Sequence, residues 1–139
     1  AVYQFFLHTE TIDKMPNWIE ALFNTPSHHR VHHGKNPEYL DSNYAGTLII
    51  WDKLFGTFVP EDSYNRPDYG LVKDFDSYNP FRIFIHEYFG IAKDITGKDL
   101  SFYERLLYIF APPGWSHDGS RQTSIDIKKS AGLLHAYVK

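Results

Sequence analysis

Four of the eight histidines fall within six residues, in Ser27-His28-His29-Arg30-Val31-His32-His33-Gly34. On a helix each residue advances about 100°, so with His28 at zero His29 lies near roughly 100°, His32 near roughly 40° and His33 near roughly 140°. His29, His32 and His33 then share one face about 100° wide, with His28 at its edge. Side chains spaced i, i+3 and i+4 are neighbours, so these imidazoles can converge on one or two metal ions. Gln4 and His8 stand one helical turn apart and can point the same way from an upstream helix, adding a second group of candidate ligands. The metal-ligand set read from the sequence is therefore Gln4, His8, His28, His29, His32 and His33, with His29, His32 and His33 at its centre. The same residues also suit a solvent-exposed histidine-rich turn that binds metal adventitiously, and His8 also suits a helix end with no ligand role. Helix start and stop signals framing the cluster, the histidine in the preceding aromatic segment, and the repulsion that packed protonated imidazoles would suffer without a metal favour ligation.

Asp41, Asn43 and Asp52 are candidates to accept hydrogen bonds from the far ring nitrogens of ligating histidines, or else to cap helices. His86, His117 and His135 read as structural histidines on an amphipathic helix and in polar tail segments.

Composition narrows the classes. The chain has 139 residues, a length suited to one modest domain, and 42% hydrophobic with 22% charged residues, which argues for a folded core. A net charge of −3 gives no basic surplus to neutralise a phosphate backbone, so nucleic-acid binding is not expected. Zero cysteines exclude disulfides, thiolate metal sites and a cysteine nucleophile, leaving nitrogen and oxygen to hold any metal. No window approaches the roughly 18–20 apolar residues of a membrane span.

The elements that must position these residues read as all-α, short amphipathic helices joined by long irregular loops. Residues 1–10 read as the end of a longer helix, and the chain as a fragment beginning inside it. Pro16 opens a short helix through Phe23, with Trp18, Ile19, Leu22 and Phe23 apolar. Thr25-Pro26 supplies an N-cap and a first-turn proline, and Gly34 offers a left-handed stop. Residues 35–46 read as a loop, 47–58 as a helix ended by Gly56, and 59–79 as an extended surface segment. The helical period returns from Pro80 to Gly97, Ser101 and Glu104 form a capping box before a further stripe, and residues 123–139 read as a last helix.

Taken together, these motifs resemble the fatty acid hydroxylase superfamily, also called the sterol desaturase family, of membrane-bound di-iron oxygenases. The box H-x-x-H-H falls on His29, His32 and His33, and a box of form Q-x-x-x-H on Gln4 and His8. Asn43-Tyr-Ala-Gly46 and Trp51-Asp-Lys-Leu-Phe-Gly56-Thr-Phe58 continue the likeness. The tail, with His86-Glu-Tyr-Phe and Ala111-Pro-Pro-Gly-Trp115-Ser-His-Asp-Gly-Ser120, looks like that of bacterial sterol desaturase-like members, and its Pro-Gly-Trp turn is also similar to that of alkylglycerol monooxygenases. The upstream transmembrane helices and the boxes H-x-x-x-H and H-x-x-H-H that precede these in the family are absent from the 139 residues.

The resemblance implies the C-terminal part of an integral-membrane helical hydroxylase or desaturase. Residues 1–58 would be the histidine-box part of its catalytic domain and 59–139 a helical extension. It implies two iron ions in the complete protein, O2 as co-substrate, a lipid substrate (sterol, fatty acyl or alkylglycerol) and a reductant that is either a reduced pterin or an electron-transfer protein. It also implies anchoring through missing N-terminal helices, which are the chain's expected partner, with this segment on the cytoplasmic face. Alone, the segment would neither hold a dinuclear centre tightly nor turn over. Two other readings stay open: a non-catalytic zinc- or nickel-binding module using the same histidines, and a metal-free interaction domain whose helices after Pro80 dock a partner.

Overall fold

The computed structural model describes residues 2–73 and 75–133. The described chain is helical, with two isolated bridges and no strand, and divides into two compact units, Ala1–Val72 and Lys73–Lys139. None of the described helices is long and apolar enough to cross a membrane.

The first unit holds α1 (Val2–Leu7), α2 (Asn17–Leu22), α3 (Pro26–His32) and α4 (Ile50–Phe55). Thr25 caps α3 as its sequence signal implies, accepting from the His28 amide, with Pro26 in the first turn where a missing N–H costs nothing. Gly34 follows α3 but is not left-handed, contrary to expectation: positive φ is found elsewhere, while His33 ends the helix at φ −89°, ψ 0°. Glycine is needed at 34 for space, because a β-carbon there would lie 3.0 Å from Tyr39 Cδ2 and 3.2 Å from the Val31 carbonyl.

The helix expected over 47–58 is confined to Ile50–Phe55. Residues 47–49 cannot join it, since the Asn24 amide donates to the Thr47 carbonyl and the Ile49 amide donates to the Leu22 carbonyl. Gly56 does stop α4 in the left-handed region, at φ 74°. α1 likewise stops at Leu7, and α2 starts after Pro16, which serves as its N-cap.

The apolar interior of this unit is small: Leu7, Val31, Tyr39 and Ile49, with the Pro26 ring. Polar groups fill the rest, and most are hydrogen-bonded, as burial requires; Asn24 Oδ1 and His29 Nδ1 have no partner among the described residues. Asn43, in the left-handed region at φ 53°, donates to the His28 and Val59 carbonyls and accepts from the Val59 amide. Asp52 accepts from the amides of Tyr44 and Ala45 and from the Thr57 hydroxyl. The unit extends past residue 58, where the histidine-bearing part read from sequence ends, because residues 61–69 fold back on it. Glu61 pairs with Arg30, the Asn65 carbonyl accepts from Tyr39, and the Asp68 carbonyl accepts from the Lys35 amide.

The second unit holds α5 (Pro80–Ile95), α6 (Phe102–Phe110) and α7 (Ser124–Ser130). Asn79 caps α5, and Ser101 with Glu104 forms the capping box legible in the sequence. Thr123 with Asp126 forms a second box for α7, which is shorter than the helix expected over 123–139. Residues 134–139 of that expectation, His135 among them, lie outside the described residues. α5 packs on α6, and the Arg105 guanidinium fixes the turn between them through the carbonyls of Ile95 and Gly97.

Candidate metal centre

α3 presents His29 and His33 one turn apart, and the end of α1 brings His8 against them. The three Nε2 atoms form a small triangle: His8 to His29 is 2.9 Å, His29 to His33 is 3.2 Å, and His8 to His33 is 3.2 Å. Ligands about 2.1 Å from one ion and about 90° apart are themselves about 3.0 Å apart, so these atoms have the spacing of one triangular face of a coordination polyhedron. Among the described residues this is the one group of three histidine or carboxylate ligands close enough to share an ion.

Proton placement agrees with that use. The Gln4 carbonyl accepts from His8 Nδ1 at 2.8 Å, which leaves the lone pair on His8 Nε2 at the triangle. Burial, aided by His33, His8 and His32, pushes the His29 pKa down to about 4. Burial and the neighbouring His32 and His8 lower that of His33 as well. These two rings are therefore neutral near pH 7, the form that binds metal. His29 Nδ1 is buried with no partner among the described residues, unlike the far nitrogens of His8 and His32.

The other candidates are placed differently. His32 stacks beside His29, centroids 5.6 Å apart, and its Nδ1 donates to the Ser42 carbonyl, so it adjoins the triangle without entering it. His28 turns away: Nε2 meets the Glu20 carboxylate at 2.8 Å and Nδ1 meets the Phe23 carbonyl, leaving no nitrogen for a metal in this arrangement. Gln4 serves His8 through its backbone, while its side-chain amide lies over Gly46. Asn43 and Asp52 do not support imidazoles; they hold backbone, and carbonyls of Gln4 and Ser42 take the expected supporting role. Asp41, at φ 49°, belongs to the same loop, and its side chain bonds to the Tyr44 hydroxyl. In the second unit His86 stacks on Phe75 and donates to the Ile83 carbonyl, and His117 pairs with the Tyr108 hydroxyl.

A mainly apolar cavity of about 570 Å³ opens beside the triangle, walled by Leu7 and by Tyr69, Gly70 and Leu71. The Gly34–Tyr69 bridge lays this wall alongside the end of α3, and Tyr69 donates to Glu10 at the rim. Burial and Glu10 raise the Tyr69 pKa, so its hydroxyl remains a donor. Sequence reasoning missed this wall, which lies in a segment with no periodic signal, and it missed Arg30 and Glu61, which meet beneath the site across 31 positions.

The donor set suits iron, zinc, nickel or copper, which accept imidazole nitrogen. Three protein ligands facing a cavity leave coordination positions open, as in catalytic rather than closed structural sites.

Residues 1–57 match the family described as fatty acid hydroxylase. An alkylglycerol monooxygenase from Xenopus tropicalis is 47% identical over 148 residues, covering 98% of this chain and 32% of that protein. The human alkylglycerol monooxygenase is 43% identical over 114 residues, covering 82% of this chain and 25% of that protein. An ornithine lipid hydroxylase from Rhizobium tropici is 35% identical over 61 residues, 44% of this chain and 18% of that protein. The chain thus spans a third or less of the length of these relatives. No solved structure matches it.

Proposed function

The chain belongs to the fatty acid hydroxylase superfamily, and from that premise we propose that it is part of an O2-dependent oxidoreductase that hydroxylates a lipid, with His8, His29 and His33 as ligands of iron. The observation that carries this reading is the triangle of three imidazole nitrogens, each within 3.2 Å of the others, at the mouth of an apolar cavity. Among lipids an alkylglycerol ether is favoured over sterol or fatty acyl chains, and hydroxylation over desaturation, because the relatives covering most of the chain are alkylglycerol monooxygenases. A reduced pterin is then the expected electron donor rather than an electron-transfer protein.

Iron, when bound, supplies activation of O2 toward an unactivated C–H bond. The chain's residues supply position and protonation state. His29 and His33, held neutral by burial, offer lone pairs without first losing a proton. The Gln4 carbonyl fixes the His8 tautomer. Leu7 and Leu71 offer an alkyl chain apolar surface, and the Glu10–Tyr69 pair at the rim offers hydrogen bonds to a polar headgroup. His32, with Nδ1 committed to Ser42, has Nε2 available for the second iron of the two expected in the complete protein. The remaining ligands of that centre, and the membrane anchor, would come from sequence outside this chain.

The open triangle disfavours a closed structural zinc or nickel site, which uses four protein ligands. The test is oxygen uptake by the complete protein with an alkylglycerol, a fatty acid and a sterol, each with reduced pterin. Uptake and a hydroxylated product with the alkylglycerol, abolished by His29→Ala, are expected. Turnover that survives His29→Ala, or no uptake with any lipid, would refute the proposal.

A further inference from the structure

The triangle joins two separate elements, so something must fix the end of α1 against α3. Apolar packing offers little for this: Leu7 and Val31 are the buried apolar side chains of these two helices, alongside the Pro26 ring. Arg30, between His29 and His33 on α3, is 6% exposed and uses all five guanidinium N–H groups. Nε and Nη2 donate to the two carboxylate oxygens of Glu61, at 2.9 and 2.6 Å. Nη1 donates to the carbonyls of Thr9 and Ile12, at 3.1 and 2.8 Å, and Nη2 to that of Asp13 at 2.5 Å. Thr9 directly follows His8. The guanidinium therefore ties the chain leaving α1 to the helix that carries the other two imidazoles, one residue from the first.

Glu61 makes this arrangement tenable. A buried guanidinium bound to carbonyls alone would be left without a counter-charge, which is strongly unfavourable, and Glu61 supplies one in the planar, two-bond geometry that a carboxylate offers arginine. Its backbone carbonyl in turn accepts from Lys14, tying the segment that delivers it to the same 9–14 stretch. Lysine cannot replace arginine here: its single nitrogen has three donors and no fork with which to reach Glu61 and three carbonyls together.

We propose that Arg30, neutralised by Glu61, is the positioning residue that holds His8 in the metal-binding triangle. This rests on the triangle being a metal site, and the experiment separates the two claims. The full chain is titrated with Co(II) alone, reading affinity by chelator competition and coordination by the visible d–d bands, for the wild type, Arg30→Lys, His8→Ala and the double variant. The wild type should bind one ion with three imidazoles. Arg30→Lys should lose affinity by about 10- to 100-fold, as removal of outer supporting groups does, and acquire the spectrum of His8→Ala. The double variant should bind no more weakly than His8→Ala, because Arg30 acts through His8. Should Arg30→Lys fail to fold by circular dichroism, Glu61→Gln, of nearly the same shape, goes through the same cycle with the same expectation. Wild-type affinity and bands in the folded variant, or additive losses in the double variant, would overturn the positioning role. A wild type binding no more tightly than His8→Ala would instead refute the metal site.

Discussion

Removing the Asp52 carboxylate should loosen the loop that supports His32. Asp52 is 2% exposed and binds the Tyr44 amide at 2.8 Å, the Ala45 amide at 2.8 Å and the Thr57 hydroxyl at 2.6 Å. In Asp52→Ala the two part-buried amides, of exposed Tyr44 and half-buried Ala45, lose their acceptor, at up to about 1–3 kcal/mol each, whereas the Thr57 hydroxyl can rotate to another partner. The expected loss is therefore at most about 2–6 kcal/mol, a large part of the roughly 5–15 kcal/mol that holds a domain together. Asp52→Asn keeps one oxygen but turns an NH2 toward one amide, so its loss should be about half as large, near 1–3 kcal/mol. Amide hydrogen exchange reads this locally. Protection at Tyr44 and Ala45 should fall about a thousandfold for a 4 kcal/mol loss in Asp52→Ala, less in Asp52→Asn, and the His32 ring should lose its fixed Ser42 contact. Unchanged protection at these two amides, or equal effects of alanine and asparagine, would show that Asp52 does not hold this loop.

Two glycines of the first unit should respond for different reasons. Gly34→Ala forces a β-carbon to 3.0 Å from Tyr39 and should cost about 1–3 kcal/mol in urea denaturation, while Gly56→Ala meets open space and should cost about 1 kcal/mol for its left-handed backbone alone. Acidification should weaken the metal-free first unit. Below the ordinary histidine range the unfolded chain takes up protons that His29, held down to about 4, and His33, lowered in the same direction, refuse, so the urea midpoint should fall from pH 7 to pH 5. Burial opposes ionisation of Glu61, but hydrogen bonds from Arg30 and Ser27 hold its carboxyl below the ordinary range; its contribution is complete above that range and is lost as pH falls through the depressed value. A midpoint that is constant or rises from pH 7 to pH 5 would contradict this.

Local signals were legible in the sequence, and tertiary ones were not. Thr25-Pro26 and Ser101-x-x-Glu104 act within one turn, and they start α3 and α6 where their residue types require. The box at Thr123 and Asp126 was equally local but went unread behind the charged start of that segment. Which imidazoles meet depends on the side from which α1 approaches. The helical wheel sets His28 near His32, yet α1 lies against the His29 and His33 face, and Glu20 draws His28 away. The acceptors that support His8 and His32 are backbone carbonyls, which carry no side-chain signature. Arg30 and Glu61 lie 31 positions apart, and only the fold makes them neighbours.

Extended X-ray absorption of the chain loaded with one equivalent of zinc tests the metal centre most directly. A nitrogen shell at about 2.0–2.1 Å with the scattering pattern of three imidazoles is expected, falling to two in His8→Ala, His29→Ala or His33→Ala. A shell without imidazole scattering, or one unchanged by these substitutions, would contradict that centre.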